Sequence, residues 1–357
     1  MRYPSMQGKL LKTIKTAQAS LILHINCHEY KNIEQFISQY TRLMIMKNLP
    51  ASLILILLIS GSLPANSLNP GAEAIGKWNL TIEMDAGSYP GWLEITRSGF
   101  HTLTGSFVGY EGSARPVSHI AYDDETGTYS FAIPPQWKDP GSDLSFTFRL
   151  DGDVLEGTID IGDERLSWNG VRAPDLTRET PPIWGDPYSL LDDDMSRWII
   201  PENNRFRMVE GILVNEDVGG NLVSKETFDD FKIHATFRYP EGSNSGIYLR
   251  GRYEVQIMDT YGEPPGSMTL GGIYGFIAPS VSAEKKAGEW QTLDVTLVGR
   301  HVTVVLNGVA IIVNRPIPGI TGGALDSNEG LPGPIMIQGD HGPVEFKKLI
   351  VTPEMSR

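Results

Sequence analysis

Beyond residue 65, apolar and polar residues alternate in short runs, as in Ser145-Phe-Thr-Phe-Arg-Leu150 and His301-Val-Thr-Val-Val-Leu306. No long segment repeats apolar residues at i, i+3, i+4 and i+7. A period of two puts one face of an extended strand in a core and the other in water, so the pattern predicts strands and very little helix. The runs favour Val, Ile, Thr, Tyr, Phe and Trp, and Gly, Asp, Asn and Pro clusters part them at close intervals, as in sandwiches and barrels. Asp151-Gly152 and Asn307-Gly308 each sit between two such runs and predict tight hairpins in which both residues take positive φ.

The expected fold class is all-β. Residues 75–174 predict a small antiparallel β barrel or sandwich, with related Leu-x-Gly strand starts at Leu103 and Leu155. Residues 175–188 carry the Pro181-Pro182 pair, lose the alternation and read as a linker. Residues 189–353 hold ten or so short runs, the size of a jelly-roll sandwich with one concave face. Trp78, Trp92, Trp137 and Trp168 of the first domain could stack on sugars, but core packing is the expected use of most of them. That domain is expected to serve substrate presentation or localisation and not the chemistry.

Charge divides the chain further. Of the net -13, residues 1–65 contribute +5 and the remainder -18. Such an acidic body repels phosphate backbones and anionic lipid surfaces, so no nucleic-acid partner is expected and neutral ligands fit better. Lys47, the apolar run Leu53 to Ile59 and the small residues spaced through Ser60-Gly-Ser-Leu-Pro-Ala65 read as a secretory signal, with cleavage expected between Ser62 and Ala65. Seven apolar residues are far short of the ~18 to 20 that span a bilayer, so no integral membrane span is expected. The protein is expected to be exported, to the periplasm or the medium. A signal normally opens a protein, so residues 1–65 are read as a misplaced extension plus that signal, with the true start at Met44 or Met46. Cys27, the one cysteine, then falls outside, and thiol chemistry is excluded.

Two segments carry candidate chemistry. In Asn244-Ser-Gly-Ile-Tyr-Leu-Arg-Gly-Arg-Tyr-Glu-Val-Gln-Ile-Met-Asp259, a three-residue turn at Gly251, Arg252 and Tyr253 puts Ile247, Leu249, Val255 and Ile257 on one face. Tyr248, Arg250, Glu254 and Gln256 then share the other, a polar shelf able to hold the hydroxyls of a ring. The competing reading is a solvated ion pair between Arg250 and Glu254. In Met336-Ile-Gln-Gly-Asp-His-Gly-Pro343, a strand runs into a glycine-flanked loop bearing Asp340 and His341. After residue 65 no Cys pair or His-x-x-x-His supports zinc. The sequence requires no cofactor, and whether a divalent ion assists is left open.

These segments, with Gly272-Ile-Tyr-Gly275, Glu289-Trp290 and Leu306-Asn-Gly308, resemble the domain once called DUF1080, the 3-keto-disaccharide hydrolase family. The resemblance spans about Ser189 to Thr352. It departs from the family pattern at Gly339, which interrupts an expected Gln-Asp-His. It implies a concanavalin-like jelly roll with 3-keto-glycoside lyase or 3-keto-2-hydroxy-glucal hydratase activity, and a 3-keto-sugar or other carbohydrate as ligand. A ketone at C3 acidifies the C2 hydrogen, so a base can remove it while the C1 oxygen leaves. On this implication Glu254 or His341 is the base and Arg250 stabilises the enolate. Asn244, Tyr248, Gln256, Asp259, Tyr274, Gln338 and Asp340 bind the sugar. A conventional glycosidase needs two flanking carboxylates. The Glu-x-Asp-x-Glu of concanavalin-like glucanases would here read Glu254-x-Gln256-x-Met258, which disfavours that class. A non-catalytic carbohydrate-binding module is the alternative.

Overall fold

A computed structural model describes residues 71–355, so the leader and signal expected in residues 1–65 lie outside the described residues. The described chain falls in one compact unit, Asn69–Arg357. Among the described residues no helix is long and apolar enough to cross a membrane.

The first eight strands close into an antiparallel barrel: β1 (Gly76–Met84), β2 (Gly87–Ser98), β3 (Thr102–Val108), β4 (Arg115–Asp123), β5 (Thr128–Ile133), β6 (Leu144–Asp151), β7 (Val154–Ile161) and β8 (Glu164–Arg172). β1 pairs with both β2 and β8, which leaves no free edge. Alternation delivers the core as expected. On β6, Phe146 and Phe148 are buried between exposed neighbours, and Phe146 stacks on Phe131 at 4.3 Å between ring centroids. Trp78 and Trp168 lie in this core, whereas Trp137 is 61% exposed.

Thirteen further strands form two sheets. One runs β10 (Trp198–Ile199), β13 (Leu222–Phe228), β20 (Gly333–Ile337), β15 (Asn244–Leu249), β16 (Tyr253–Met258). The other runs β11 (Phe206–Val209), β12 (Ile212–Asn215), β21 (Val344–Pro353), β14 (Phe231–Arg238), β17 (Gln291–Val298), β18 (His301–Leu306), β19 (Val309–Pro316), with β9 (Tyr188–Ser189) against β21. Their apolar faces form one cluster: Phe231, Ile233, Ala235 and Phe237 of β14 and Val302, Val304 and Leu306 of β18 join Ile247, Leu249, Val255 and Ile257. Each such aliphatic side chain stabilises the fold by ~1.5 to 3 kcal/mol when fully buried. A one-residue slip would turn that set outward, so the register is firmly specified.

Two details differ from expectation. Asn307 (φ 50) and Gly308 (φ 82) do form a two-residue turn. At the other hairpin Asp151 pairs with Val154, so the turn is Gly152-Asp153 and only Gly152 (φ 60) takes positive φ. Residues 175–188 are also more than a spacer. Arg178 binds Asp229 and Asp230, Gly185 N–H donates to Pro353 O at 2.8 Å, and Leu176 is buried, so the segment is strapped along the sandwich. Trp92 belongs to the sandwich core and meets Phe276 edge-on at 5.3 Å, which ties the barrel to it.

Candidate active site

The hairpin of β15 and β16 builds the floor of the site. Its register pairs Ile247 with Val255, Tyr248 with Glu254 and Leu249 with Tyr253. The loop has three residues, as expected, but they are Arg250, Gly251 and Arg252. Tyr253 is not in the turn because its ring is fully buried in the core and its hydroxyl donates to Glu329 Oε1 at 2.7 Å. Within the strands the expected faces hold. Ile247, Leu249, Val255 and Ile257 enter the core, and Tyr248, Glu254 and Gln256 share the opposite face with Asn244 and Gly246.

Arg250 leaves this shelf, a correction to its expected place beside Glu254. It adopts φ 53 in the turn and is fully buried. Its Nε donates to Asp229 O at 2.6 Å and a terminal nitrogen lies 3.0 Å from Asp230 Oδ1. Burial works against the charge of Asp230, but the hydrogen bonds from Arg178 and Gly299 N–H hold its carboxyl below the usual range. Arg250 is thus a structural cation. Asp259 is also corrected: it points off the shelf, and its Oδ2 accepts from Gly242 N–H at 2.8 Å to fix the preceding turn. Among the described residues Asp229, Asp230 and Glu354 lie close enough for a cation, yet the guanidiniums of Arg178 and Arg250 already neutralise the two aspartates.

Glu254 is the central group. Only 3% of it is exposed, and burial pushes its carboxyl up to about 8 against a hydrogen bond from Tyr248 and the pull of His341, with Asp340 adding to the rise. Tyr248 Oη lies 2.9 Å from Glu254 Oε2 and 3.0 Å from Gly322 O. A phenol has one proton. If Glu254 is protonated it donates to Tyr248, which donates onward to Gly322, and every partner is satisfied; if Glu254 is ionised, one acceptor goes without. The resting network therefore favours the neutral carboxyl. The other carboxylate oxygen, Oε1, stands where a side chain on Gly246 would be, so glycine keeps that space clear.

A row of amides flanks this point. Gln338 N–H donates to Gly246 O at 2.9 Å, which places Gln338 beside Gly246 and across from Gln256. Gln256 Oε1, Gln338 Oε1 and Asn244 Oδ1 are all buried without a hydrogen-bond partner. Three orphaned acceptors along one face of a sheet can take hydrogen bonds from the hydroxyls of a ligand. Tyr274 closes one side: its N–H donates to Glu254 O at 3.1 Å, and burial followed by Glu254 pushes its phenol up to about 12.

The loop after Gln338 brings in the acid and imidazole. Gly339 has no room for a Cβ, which would lie 2.5 Å from both Gly220 O and Phe206 Cε2. Its N–H donates to Asn221 Oδ1 at 2.8 Å and its carbonyl accepts from Asn215 Nδ2 at 3.3 Å. The residue that interrupts the expected motif is thereby what anchors the loop. His341 Nδ1 sits 2.6 Å from Asp340 Oδ1, half exposed. That hydrogen bond raises its pKa against partial burial, with Asp340, Glu254 and Glu111 adding to the rise. The pairing on Nδ1 leaves Nε2 for a ligand.

Glu111 was not expected here, nor was Tyr110. Both belong to the barrel loop between β3 and β4, and Tyr110 O accepts from Gly323 N–H at 3.0 Å. Gly109-Tyr-Glu-Gly112 is a glycine-flanked loop like that bearing His341, and the same criterion applied to the barrel would have found it.

Several comparisons bear on this geometry. No curated protein matches the chain. A provisionally named glycosyl hydrolase from Parabacteroides distasonis, solved as a crystal structure, is 27% identical over 50% of this chain and 94% of its own, with a TM-score of 0.42. A second from the same organism is 21% identical over 47% and 98%, with a TM-score of 0.40. Trypanosoma rangeli sialidase in complex with sialic acid is 10% identical over 79% and 51%, with a TM-score of 0.28. Residues 186–352 match the family model of the 3-keto-alpha-glucoside-1,2-lyase-like domain. Residues 186–352, the sandwich that carries Tyr248, Glu254 and His341, are thus similar to the 3-keto-alpha-glucoside-1,2-lyase-like domain, the family their motifs resemble.

Proposed function

We propose that the protein is an exported enzyme that cleaves 3-keto-glycosides by removing the C2 proton and expelling the C1 oxygen. The observation that carries this reading is the buried carboxyl of Glu254, raised to about 8 and set with an Asp340–His341 pair on a shelf whose amide oxygens Gln256 Oε1, Gln338 Oε1 and Asn244 Oδ1 have no partner. Asp340, the acid that acts electrostatically on Glu254, is engaged with the imidazole, so the two free carboxylates of a conventional glycosidase are not offered.

With the ring over Gly246, Glu254 Oε1 faces it from the floor and takes the C2 proton when ionised. The C–H electrons pass into the C3 carbonyl as an enolate, and their return forms the C1=C2 double bond as the C1–O bond breaks. His341, protonated and held by Asp340, gives its proton to the departing oxygen. The phenol of Tyr274 and the amides of Gln256 and Gln338 replace Arg250 as donors to the enolate oxygen at C3. Addition of water across the new double bond completes net hydrolysis. A base with a pKa near 8 is a stronger proton acceptor than an ordinary carboxylate, and turnover is expected to be greatest on the alkaline side of neutrality.

Methyl 3-keto-α- and β-glucosides, offered beside their unoxidised parents, test this. Product is expected only from one or both keto sugars, and His341→Ala should lower that rate by ~100-fold to 10,000-fold. Rapid cleavage of an unoxidised glucoside would sink the elimination and restore a two-carboxylate glycosidase. Binding of the keto sugars without turnover would point to the carbohydrate-binding module. Export carries its own expectation: protein from the native host should begin between Ser62 and Ala65, and a chain that keeps Leu53 to Ile59 would remove the claim.

A further inference from the structure

We infer that the barrel supplies the aglycone subsite of this active site, with Tyr110 and Trp137 as a stacking wall for the leaving sugar and Glu111 as a polar contact beside His341. The inference rests on the proposed reaction only for the identity of the sugar that leaves; the wall itself follows from geometry.

The seam between the two β units runs through Gly322 and Gly323. Gly322 O accepts from Tyr248 Oη at 3.0 Å, and the next residue, Gly323, donates its N–H to Tyr110 O at 3.0 Å. Two consecutive backbone groups therefore connect the hydroxyl that holds Glu254 to the barrel loop. Neither glycine tolerates a side chain: a Cβ on Gly322 would overlap Gly112 O, and one on Gly323 (φ 75) would lie 2.5 Å from Tyr248 Oη. A Cβ on Gly275, next to Tyr274, would lie 2.7 Å from Ser113 Cβ. The loop is thus seated against both the Tyr248 and the Tyr274 sides of the site.

The loop is also braced from within the barrel. Ser113 N–H donates to Gln136 Oε1 at 3.1 Å and Gln136 Nε2 donates to Ser113 Oγ at 3.0 Å, which brings the following residue, Trp137, to Gly112. The ring of Tyr110 leans on Tyr89 at 4.2 Å between centroids. Yet Tyr110 is 41% exposed and Trp137 61% exposed, although the other three tryptophans of residues 75–174 are buried, Trp78 and Trp168 in the barrel core and Trp92 against the sandwich. Two large rings held out of a core by a hydrogen-bonded loop, at the rim of a sugar site, offer flat apolar faces to the C–H side of a pyranose. After burial and Tyr89, Glu111 and Asp340 both raise the Tyr110 phenol, and Glu111 also raises His341, in keeping with the seat of this loop against Gly322, Gly323 and Gly275. His341 serves the scissile oxygen. The wall consequently lies on the side of the departing sugar, whereas the ring that reacts sits over Gly246.

The test uses the full chain carrying Glu254→Gln, which should turn keto sugars over at least ~100-fold more slowly than wild type. Calorimetric titration compares the 3-keto forms of maltose and cellobiose with methyl 3-keto-α- and β-glucoside. At least one disaccharide is expected to bind tighter than its methyl counterpart, and Tyr110→Ala should weaken that disaccharide by about tenfold while leaving the methyl glucoside unchanged. Tyr110→Phe, which keeps the ring, should restore the difference, and Trp137→Ala, at a more exposed position, should reduce it in turn. A preference for neither disaccharide, or one that survives both Tyr110→Ala and Trp137→Ala, overturns the subsite. Release of products from the Glu254→Gln protein at the wild-type rate would instead count against Glu254 as base, and leaves the affinity comparison across the variants to decide the subsite by itself.

Discussion

Glu254→Gln should cost ~100-fold to 10,000-fold in turnover of a 3-keto-glucoside and, at the same time, make the protein more stable at alkaline pH. The folded-state pKa of about 8 lies above the ordinary 4.5. Between those values the folded protein holds a proton that the unfolded chain has released, so the contribution of this site to stability is full below about pH 4.5 and falls as pH rises through about 8. Glutamine carries no such penalty, and its NH2 can donate to Tyr248 as the neutral carboxyl does. The melting temperature of the variant should therefore match wild type near pH 4 and exceed it at pH 9 by roughly 5 °C or more. Parallel melting curves across pH decide this. A variant that melts with wild type at both ends would mean that Glu254 is not buried in a neutral state.

Arg250→Ala should behave in the opposite way, losing stability and keeping activity. The guanidinium is fully buried against Asp230, itself inaccessible, so its removal leaves a buried carboxylate with part of its compensation gone. Breaking such a pair from one side costs ~3 to 5 kcal/mol; Asp230 retains Arg178 and the Gly299 N–H, which puts the expected loss near ~3 kcal/mol. Urea denaturation measures it. Turnover of the folded fraction should stay within about twofold, since Arg250 points away from the shelf that carries Glu254. A fall in turnover of ~100-fold with unchanged stability would return Arg250 to the role of enolate stabiliser.

These two arginine and glutamate positions show where local pattern suffices. Tyr248, Glu254 and Gln256 could be set on one face from sequence because side chains alternate strictly along a strand, and Ile247, Leu249, Val255 and Ile257 leave only one face free. The place of Arg250 could not. A shift of the loop by one residue decides whether it lies on a strand or in a turn, and that shift is set by the buried ring of Tyr253 and by Asp229 and Asp230, some twenty residues earlier. Asp259 differs for the same kind of reason, because its carboxylate is taken up by the Gly242 N–H. Gly339 read as an interruption in the sequence and proves to be the one residue that fits against Gly220 and Phe206.

By itself the sequence determined the all-β class, the division into two β units near residue 175, the core side of each strand, and the segments from which Tyr248, Glu254, Gln256 and His341 come. All of these depend on side-chain alternation and on turn residues, which act over a few positions. Only the tertiary structure decided that Glu254 is buried enough to hold a proton near neutral pH, that Asp340 is paired with His341, and that the barrel loop of Tyr110 and Glu111 is seated on Gly323, next to the partner of Tyr248. Burial and electrostatic coupling are properties of groups brought together from distant strands, so no local pattern in the chain records them.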